Sequence, residues 1–600
     1  MKKIILLASI VYFLLAPISY HPDTKLTLRY PALENSSVWD IYSYLDSHNL
    51  DIPDFHYPPA HFWWLKLHYP ISKIIAGNGF DKWLDLDSVN SNFDNNSFRY
   101  NLAVKFPLLV LGLLSGYVIF LIVKKWSGNE VKARYATLFW YFNPVTIYSL
   151  VMMGQNDIVA IFLFLLGILF FEKSFLSIIL WGIAAGVKNY PLIWSIVFLL
   201  ACEKNIFQTI KKTAGVISVY GLILLPWIGK TYFTEAVLNS GLSQRMFIAN
   251  LPIGFDKLIL IVPTLLVLIA FKFFVNKDNK KNIAYGSLAI FQSSLVILGF
   301  SHFNPQWMLW TVPFIAIWGA LLGVRKVDLL IWFFVFISWL GLILGFNDRF
   351  LTWGIITPLN PNLINYPSFV ELLNNRGVEF SQFINYFQSI LAGLSLFYLF
   401  SKFKKPFVKL ADFKISRYLI LIPWIFFLIV LILIPLIEVD KRKESGSGEN
   451  KIYFSELTKK VYKYNTENSL KYFEISLDNP NLNSEDRGTL FVSDDIGSTF
   501  EKEISGFNAE ANSWLRVDVP KSMSNSKEIS LELKNIITKD GFLKIKLDDQ
   551  NRWKVVFYNS GKESYQNILM KIGGFWWWWL LLIAASAYYF RLDSKKQFSK

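Results

Sequence analysis

The chain has 600 residues, 53% of them hydrophobic and 17% aromatic, which is too apolar for a soluble protein of this size. Its formal charge of +15 would suggest nucleic acid in a soluble protein. Here the basic residues gather in short stretches between apolar runs, where they act as the orientation signal of a polytopic membrane protein and exclude a nucleic-acid partner. The single cysteine, Cys202, excludes an internal disulfide framework and a cysteine metal cluster.

Lys2 and Lys3 precede an apolar run from Ile4 to Ser19. Small residues at a cleavage spacing are lacking near Ala16, so this run is expected to be an uncleaved first span with a cytoplasmic N-terminus. Residues 20–102 then form the first extracytoplasmic loop, which carries Asp40 and, further on, Tyr57-Pro58-Pro59 before an aromatic ledge. Span two, about Ala103 to Val123, ends at Lys124 and Lys125. Span three, Tyr135–Met152, returns outward to Gly154-Gln155-Asn156-Asp157. Span four, Ile158–Phe171, comes back to Glu172-Lys173.

Phe175 to Ala201 is apolar but is interrupted by Lys188-Asn189-Tyr190-Pro191, and basic residues flank it at both ends. Two half-length helices folded as a hairpin satisfy this pattern, with Pro191 breaking the helix. Broken backbone at membrane depth is tolerated where it is buried in protein or lines a cavity. Further spans are expected at Ala214–Gly229, Leu258–Val275, Ile283–Phe300, Met308–Gly323, Leu329–Phe346, Phe387–Phe400, Tyr418–Val439 and Gly574–Phe590, making twelve besides the hairpin. Loops assigned to the cytoplasm are rich in lysine and arginine, as the positive-inside rule requires.

Residues 440–573 read as a separate domain. A polar joint, Glu444-Ser445-Gly446-Ser447-Gly448, opens it, and period-two runs follow at Leu515, Val517, Val519 and at Leu543, Ile545, Leu547. A small extracytoplasmic β-sandwich is expected, tethered at both ends by spans. Residues 1–439 are the membrane domain and 574–600 the final span and cytoplasmic tail, with Trp576–Trp579 as an interfacial anchor.

This topology sets Asp40, Gln155, Asn156, Asp157, Arg245, the Ser301–Trp307 loop and all six histidines on one membrane face. The ordered set Asp40 with Tyr57-Pro58-Pro59, Asn143-Pro144 before Gly154-Gln155-Asn156-Asp157, Gly182 and Gly186 before Lys188 and Pro191, and His302–Trp307 before Pro313 resembles the GT-C superfamily of polytopic glycosyltransferases. Within it, the likeness is to the prokaryotic mannosyltransferase-like group that uses polyprenyl-phosphate sugars. It covers roughly residues 1 to 430 and leaves the β-domain outside. The resemblance implies an enzyme of the cell membrane that moves a hexosyl group, mannosyl by family likeness, from a polyprenyl-phosphate carrier to an acceptor hydroxyl on a glycan, lipid-linked or protein acceptor. It also implies inversion at the sugar carbon, Asp40 as base and no resident cofactor.

Each candidate has a plainer explanation. Asp40 could cap a helix or turn, and Asp46, Asp51 and Asp54 compete for its role. Asn156 and Asp157 stand before an apolar helix and could be caps, whereas Gln155 has no such excuse. Lys188, midway along an apolar run, is a functional candidate by its cost and otherwise a snorkelling side chain. Arg245 could bind the donor phosphate or lie among lipid headgroups, and His302 and Tyr57 could contact phosphate or sugar. His56 and His61 lack a third metal ligand at a recognisable spacing, so a divalent metal is not expected. A lipid-linked glycan transporter or flippase is the competing function, since a broken helix with a midplane charge is a transporter cue. Against it, no internal repeat is found and the polar motifs gather at one face. A non-catalytic surface protein displaying the β-domain would need neither those motifs nor Lys188. Trp514 and Trp553 could stack on an acceptor glycan or fill the core of that domain.

Overall fold

The computed structural model describes residues 1–33, 38–47, 55–86, 88, 90–203, 205–239, 251–253, 256–258, 260–275, 283–301, 304–324, 326–346, 348–361, 363, 368–374, 381–400, 440–444, 451–453, 461–466, 470–478, 487–505, 514–537, 544–548 and 550–562. Arg245, His302, the expected spans at 418–439 and 574–590, and the tryptophans at 576–579 lie outside them. The chain divides into a helical unit, up to Gly345 and again from Glu379, and a sheet unit built from Phe346–Val378 and the strands that follow residue 440.

In the helical unit, four helices are long and apolar enough to cross a membrane: Ser97–Ser127, Ile283–Phe300, Pro305–Leu322 and Val327–Gly345. Shorter apolar helices are α9 (Ser174–Val187), α10 (Tyr190–Cys202), Ile261–Val275 and Ile384–Phe400. The first of the long helices, α6 (Ser97–Ser127), stops at Gly128 (φ 65°), and Asn129 then caps α7 (Glu130–Phe142) by accepting from the amides of Val131 and Lys132. Glycines on α6 admit α7 side chains at its backbone. Trp140 Nε1 donates to the Gly112 carbonyl at 2.9 Å, and a Cβ at Gly116 would collide with the Tyr141 ring.

The third expected span is broken. α7 ends at Phe142, because Pro144 offers no amide and forces the preceding residue out of the helical region, and Asn143 Oδ1 takes the Val145 amide instead. A π-helix, Thr146–Met152, resumes the run and meets α8 (Asp157–Leu169) at a bend of 118°. The expected hairpin has its break where the sequence places a charge. α9 ends at Val187, Lys188 is extended, and α10 starts at Tyr190 with Pro191 in its first turn, where a missing amide costs nothing.

The first loop is helical through much of its length. α1 (Lys2–Leu15) is followed by α2 (Pro22–Ala32), α3 (Ile41–Ser47), α4 (Pro59–Ala76) and α5 (Phe80–Asp85). A buried lysine ties this loop to the bundle. Lys105 of α6 donates to the carbonyls of Ala16 (3.0 Å), Ser19 (2.6 Å) and Met152 (2.5 Å) and to Ser19 Oγ (2.9 Å). Carbonyls at helix C-termini carry partial negative charge, so they solvate an ammonium that is cut off from water. Beside it Thr24 Oγ1 donates to the Met153 carbonyl at 2.6 Å, and Gly154 turns with φ 74°. A Cβ at Gly154 would stand 2.8 Å from Thr24 Oγ1 and 2.9 Å from Lys105 Cγ, so the close approach needs glycine.

The sheet unit is antiparallel. One sheet has the order β5 (Val461–Asn465), β10 (Glu528–Ile537), β7 (Arg487–Asp494), β8 (Thr499–Ser505). The other runs β3 (Asp440–Glu444), β12 (Val555–Lys562), β6 (Leu470–Asp478), β11 (Lys544–Lys546), β4 (Lys451–Tyr453), with β9 (Trp514–Asp518) also pairing β6. A separate pair, β1 (Leu251–Ile253) and β2 (Asp256–Leu258), belongs to the helical unit. Residues of both larger sheets share one core, including Leu490, Val492 and Leu531 from the first and Phe473, Ile475, Val517 and Val555 from the second. Trp553 is fully buried there, so its indole packs and does not offer a face to a sugar.

Along β6, Phe473, Ile475 and Leu477 point into that core, and the period of two turns Glu474 to the opposite face. There Arg349 Nη1 meets Glu474 Oε1 at 2.8 Å, with side-chain exposures of only 1% and 4%. Removing one member of a buried pair takes a counter-charge from the other, whereas replacing both with apolar groups removes two desolvation costs together. Arg349→Met is therefore expected to lower stability by about 3–5 kcal/mol, and the double change with Glu474→Leu to return to within about 1 kcal/mol of the parent, measured by thermal unfolding of the full chain.

Candidate active site

The charged centre of the helical unit forms at the break between α9 and α10. Lys188 Nζ lies 3.7 Å from Asp157 Oδ2 and 4.1 Å from the centroid of the Tyr57 ring. The two charged side chains are 16% and 2% exposed. An ammonium in this setting is costly unless paired, and the carboxylate and the negative face of the ring together supply the pairing.

Asp157 opens α8 but makes no side-chain cap there. Its Oδ1 accepts from Trp310 Nε1 at 2.8 Å, which leaves Oδ2 for Lys188. Trp310 is held by stacking on Tyr190 (3.9 Å between centroids) and on Trp307 (5.0 Å). Asn156 is also no side-chain cap: it accepts from Trp64 Nε1 and donates to Thr27 Oγ1, both at 3.2 Å. The capping explanation thus fails for both residues, and their side chains are spent on long-range partners instead.

Gln155 Nε2 donates at 3.2 Å to Asp23 Oδ2, and Gln306 Nε2 donates to the same oxygen at 3.3 Å. Asp23 was not among the sequence candidates. Its only mark in the sequence is that His21-Pro22-Asp23 opens a helix directly after the first apolar run. His21 caps α2 by accepting the Asp23 amide at Nδ1 (3.3 Å), and the same nitrogen lies 3.6 Å from Asp23 Oδ2.

Tyr57 stacks on His61 with centroids 4.1 Å apart, and its carbonyl accepts from Tyr42 Oη at 2.7 Å. Tyr42 belongs to α3, the helix that Asp40 begins. Asp40 itself does what the plain explanation foresaw: its Oδ1 accepts the Ser43 amide at 3.0 Å. Its Oδ2 pairs with Lys230, whose ammonium also donates to Ser43 Oγ at 2.7 Å. The structure therefore joins Lys188, Asp157 and Tyr57 directly, links Gln155 to Asp23, and ties Asp40 to Lys230. His56 Nδ1 is 2.9 Å from the Ala236 carbonyl, and among the described residues no group of three or more His, Cys, Asp or Glu side chains could hold a metal ion.

Burial pushes the Asp40 carboxyl up, but hydrogen bonds from Lys230 and Ser43 outweigh it and hold the group below the usual aspartate range. A carboxyl with a lowered value in the folded state adds stability above its unfolded pKa of about 4, and that stability fades as pH falls through the lowered value. Asp40 and Lys230 are 34% and 31% exposed, so solvent screening keeps the contribution under about 1 kcal/mol. Asp40→Asn should thus melt slightly below the parent at pH 7, with the gap closing as the pH falls through the lowered Asp40 value, in parallel thermal scans.

No curated protein and no solved structure matches this chain. One family model does, over residues 100–296, about a third of the chain. The matched stretch contains Gln155, Asn156, Asp157 and Lys188, and Arg245 outside the described residues; it leaves out Asp23, Asp40, Tyr57 and the sheet unit. The π-helix, the bent entry to α8 and the Lys188 break all fall inside it. Residues 100–296 match glycosyltransferase family 87, a GT-C-type family of membrane glycosyltransferases, in line with the resemblance drawn from the motifs.

Proposed function

We propose that the protein transfers a hexosyl group, mannosyl by resemblance, from a polyprenyl-phosphate carrier to an acceptor hydroxyl at the extracytoplasmic face of the cell membrane, with inversion. The observation that carries this reading is Lys188: a cation in an otherwise apolar helical hairpin, set at its break beside Asp157 and Tyr57. A lipid-phosphate donor keeps its reactive carbon at headgroup depth, and a hairpin whose break carries a cation can meet its phosphate there. As the bond from sugar carbon to phosphate oxygen breaks, the electron pair stays on phosphate, and a cation within reach stabilises that charge. Arg245 and His302 are proposed as further contacts to the same group. Gln155, with its amide beside the cluster, is suited to a sugar hydroxyl. The acceptor oxygen attacks the opposite side of the carbon while a first-loop carboxylate takes its proton, which gives inversion. The two C-terminal sheets, sharing one core, fit the expected sandwich and are proposed to hold or orient the acceptor.

Transfer of labelled hexose from polyprenyl-phosphate sugars, in membranes containing the full chain, tests this. Lys188→Met should lower transfer about 10- to 100-fold, the worth of one charge-assisted phosphate contact, with Lys188→Arg retaining most of it. Undiminished transfer in a folded Lys188→Met protein sinks the assignment. Movement of the intact donor across the bilayer without transfer would favour a flippase.

A further inference from the structure

We propose that Asp23, and not Asp40, is the carboxylate that takes the proton from the acceptor hydroxyl. The inference rests on the glycosyl-transfer reading above and names the base within it. Among the described residues, Asp157, Asp40 and Asp23 are the carboxylates weighed for the role. Asp157 is 2% exposed, with one oxygen on Trp310 and the other on Lys188, so it has neither an open oxygen nor a path for a proton. Asp40 has one oxygen on the Ser43 amide and the other on the Lys230 ammonium. To act as base it would have to leave a cap and an ion pair together.

Asp23 differs on each count. Its side chain is 45% exposed. Both amide donors, Gln155 and Gln306, fall on Oδ2, and among the described residues no donor reaches Oδ1. Those donors are neutral amides, so they aim the carboxylate through Oδ2 without tying it into an ion pair with a lysine or arginine such as holds Asp40. The neighbouring His21 ring also lies against Oδ2, its Nδ1 3.6 Å away, and leaves Oδ1 clear. Gln155, one of those donors, stands two residues before Asp157, the partner of Lys188, so the carboxylate is tied to the segment that flanks the place assigned to the donor phosphate. In the step proposed, the acceptor O–H proton passes to Asp23 Oδ1 and the acceptor oxygen forms a bond to the sugar carbon. The bond from that carbon to phosphate oxygen breaks, its electron pair leaves with the lipid phosphate, and the exposed carboxylic acid returns the proton to solvent.

The test uses the full chain in membranes, polyprenyl-phospho-mannose labelled in the sugar, and octyl mannoside and octyl glucoside as acceptors. Asn at position 23 still presents an oxygen to Gln155 and Gln306 but cannot act as base. Asp23→Asn should lose about 100-fold or more in transfer, the usual reach of general base catalysis, while a photoreactive polyprenyl phosphate labels it as it labels the parent. Asp40→Asn should lose less than about tenfold. Asp23→Glu, which restores the carboxylate one methylene further out, should recover about tenfold over Asn. Transfer by Asp23→Asn within about threefold of the parent overturns the proposal, as does a folded Asp23→Glu no better than Asn, which would reduce Asp23 to an anchor for the two glutamines. No transfer by the parent, with the lipid probe still captured, removes the transfer reading itself and this assignment with it.

Discussion

A lysine set at the break of an apolar hairpin organises the helical unit. Lys188 is affordable only because Asp157 and the face of Tyr57 stand on two sides of it. Those two partners come from different parts of the chain, so fixing the ammonium also fixes the start of α8 against the first loop. Trp310 adds a third constraint by taking the other oxygen of Asp157, and its stacking on Tyr190 returns the chain of contacts to the first residue of α10. The charge thus closes a ring of segments around itself, and the polar side chains nearby inherit their positions from it.

Lys105 plays a comparable part with different chemistry. Among the described residues it meets no carboxylate, and it is solvated by three carbonyls and one hydroxyl. Such an arrangement joins the end of α1 to the end of the π-helix through backbone carbonyls instead of a carboxylate. It also sets the turn at Gly154, one residue before Gln155, so the aim of that amide depends on backbone as much as on side chain.

Much of this was legible in sequence, and the limits are physical. The hairpin break could be read because a lysine and a proline inside an apolar run leave few alternatives. Gln155 stood out because no local cap could account for it, and Asp157 and Asn156 were ambiguous because capping is a local rule whereas their partners, Trp310, Trp64 and Thr27, are remote. Pro144 was visible, yet its consequence, a span replaced by a π-helix and a sharp bend, depends on how neighbouring helices refill the missing bonds. Asp23 left almost no trace: a carboxylate after a proline at a helix start is commonplace, and what distinguishes it is two glutamines brought from far along the chain. Arg349 and Glu474 were hidden for the same reason, since alternation along β6 shows which way Glu474 points but not what meets it.

The hydrogen bond from Gln306 to Asp23 spans 283 positions of sequence, and that from Gln155 spans 132. Long-range closures of this kind are slow, because the entropy of the intervening chain is lost before the contact repays it. During synthesis Asp23 emerges first, with Gln155 following it by 132 positions and Gln306 by 283. A chain made only through its first helices therefore holds the carboxylate before the second of the two amides that aim it exists.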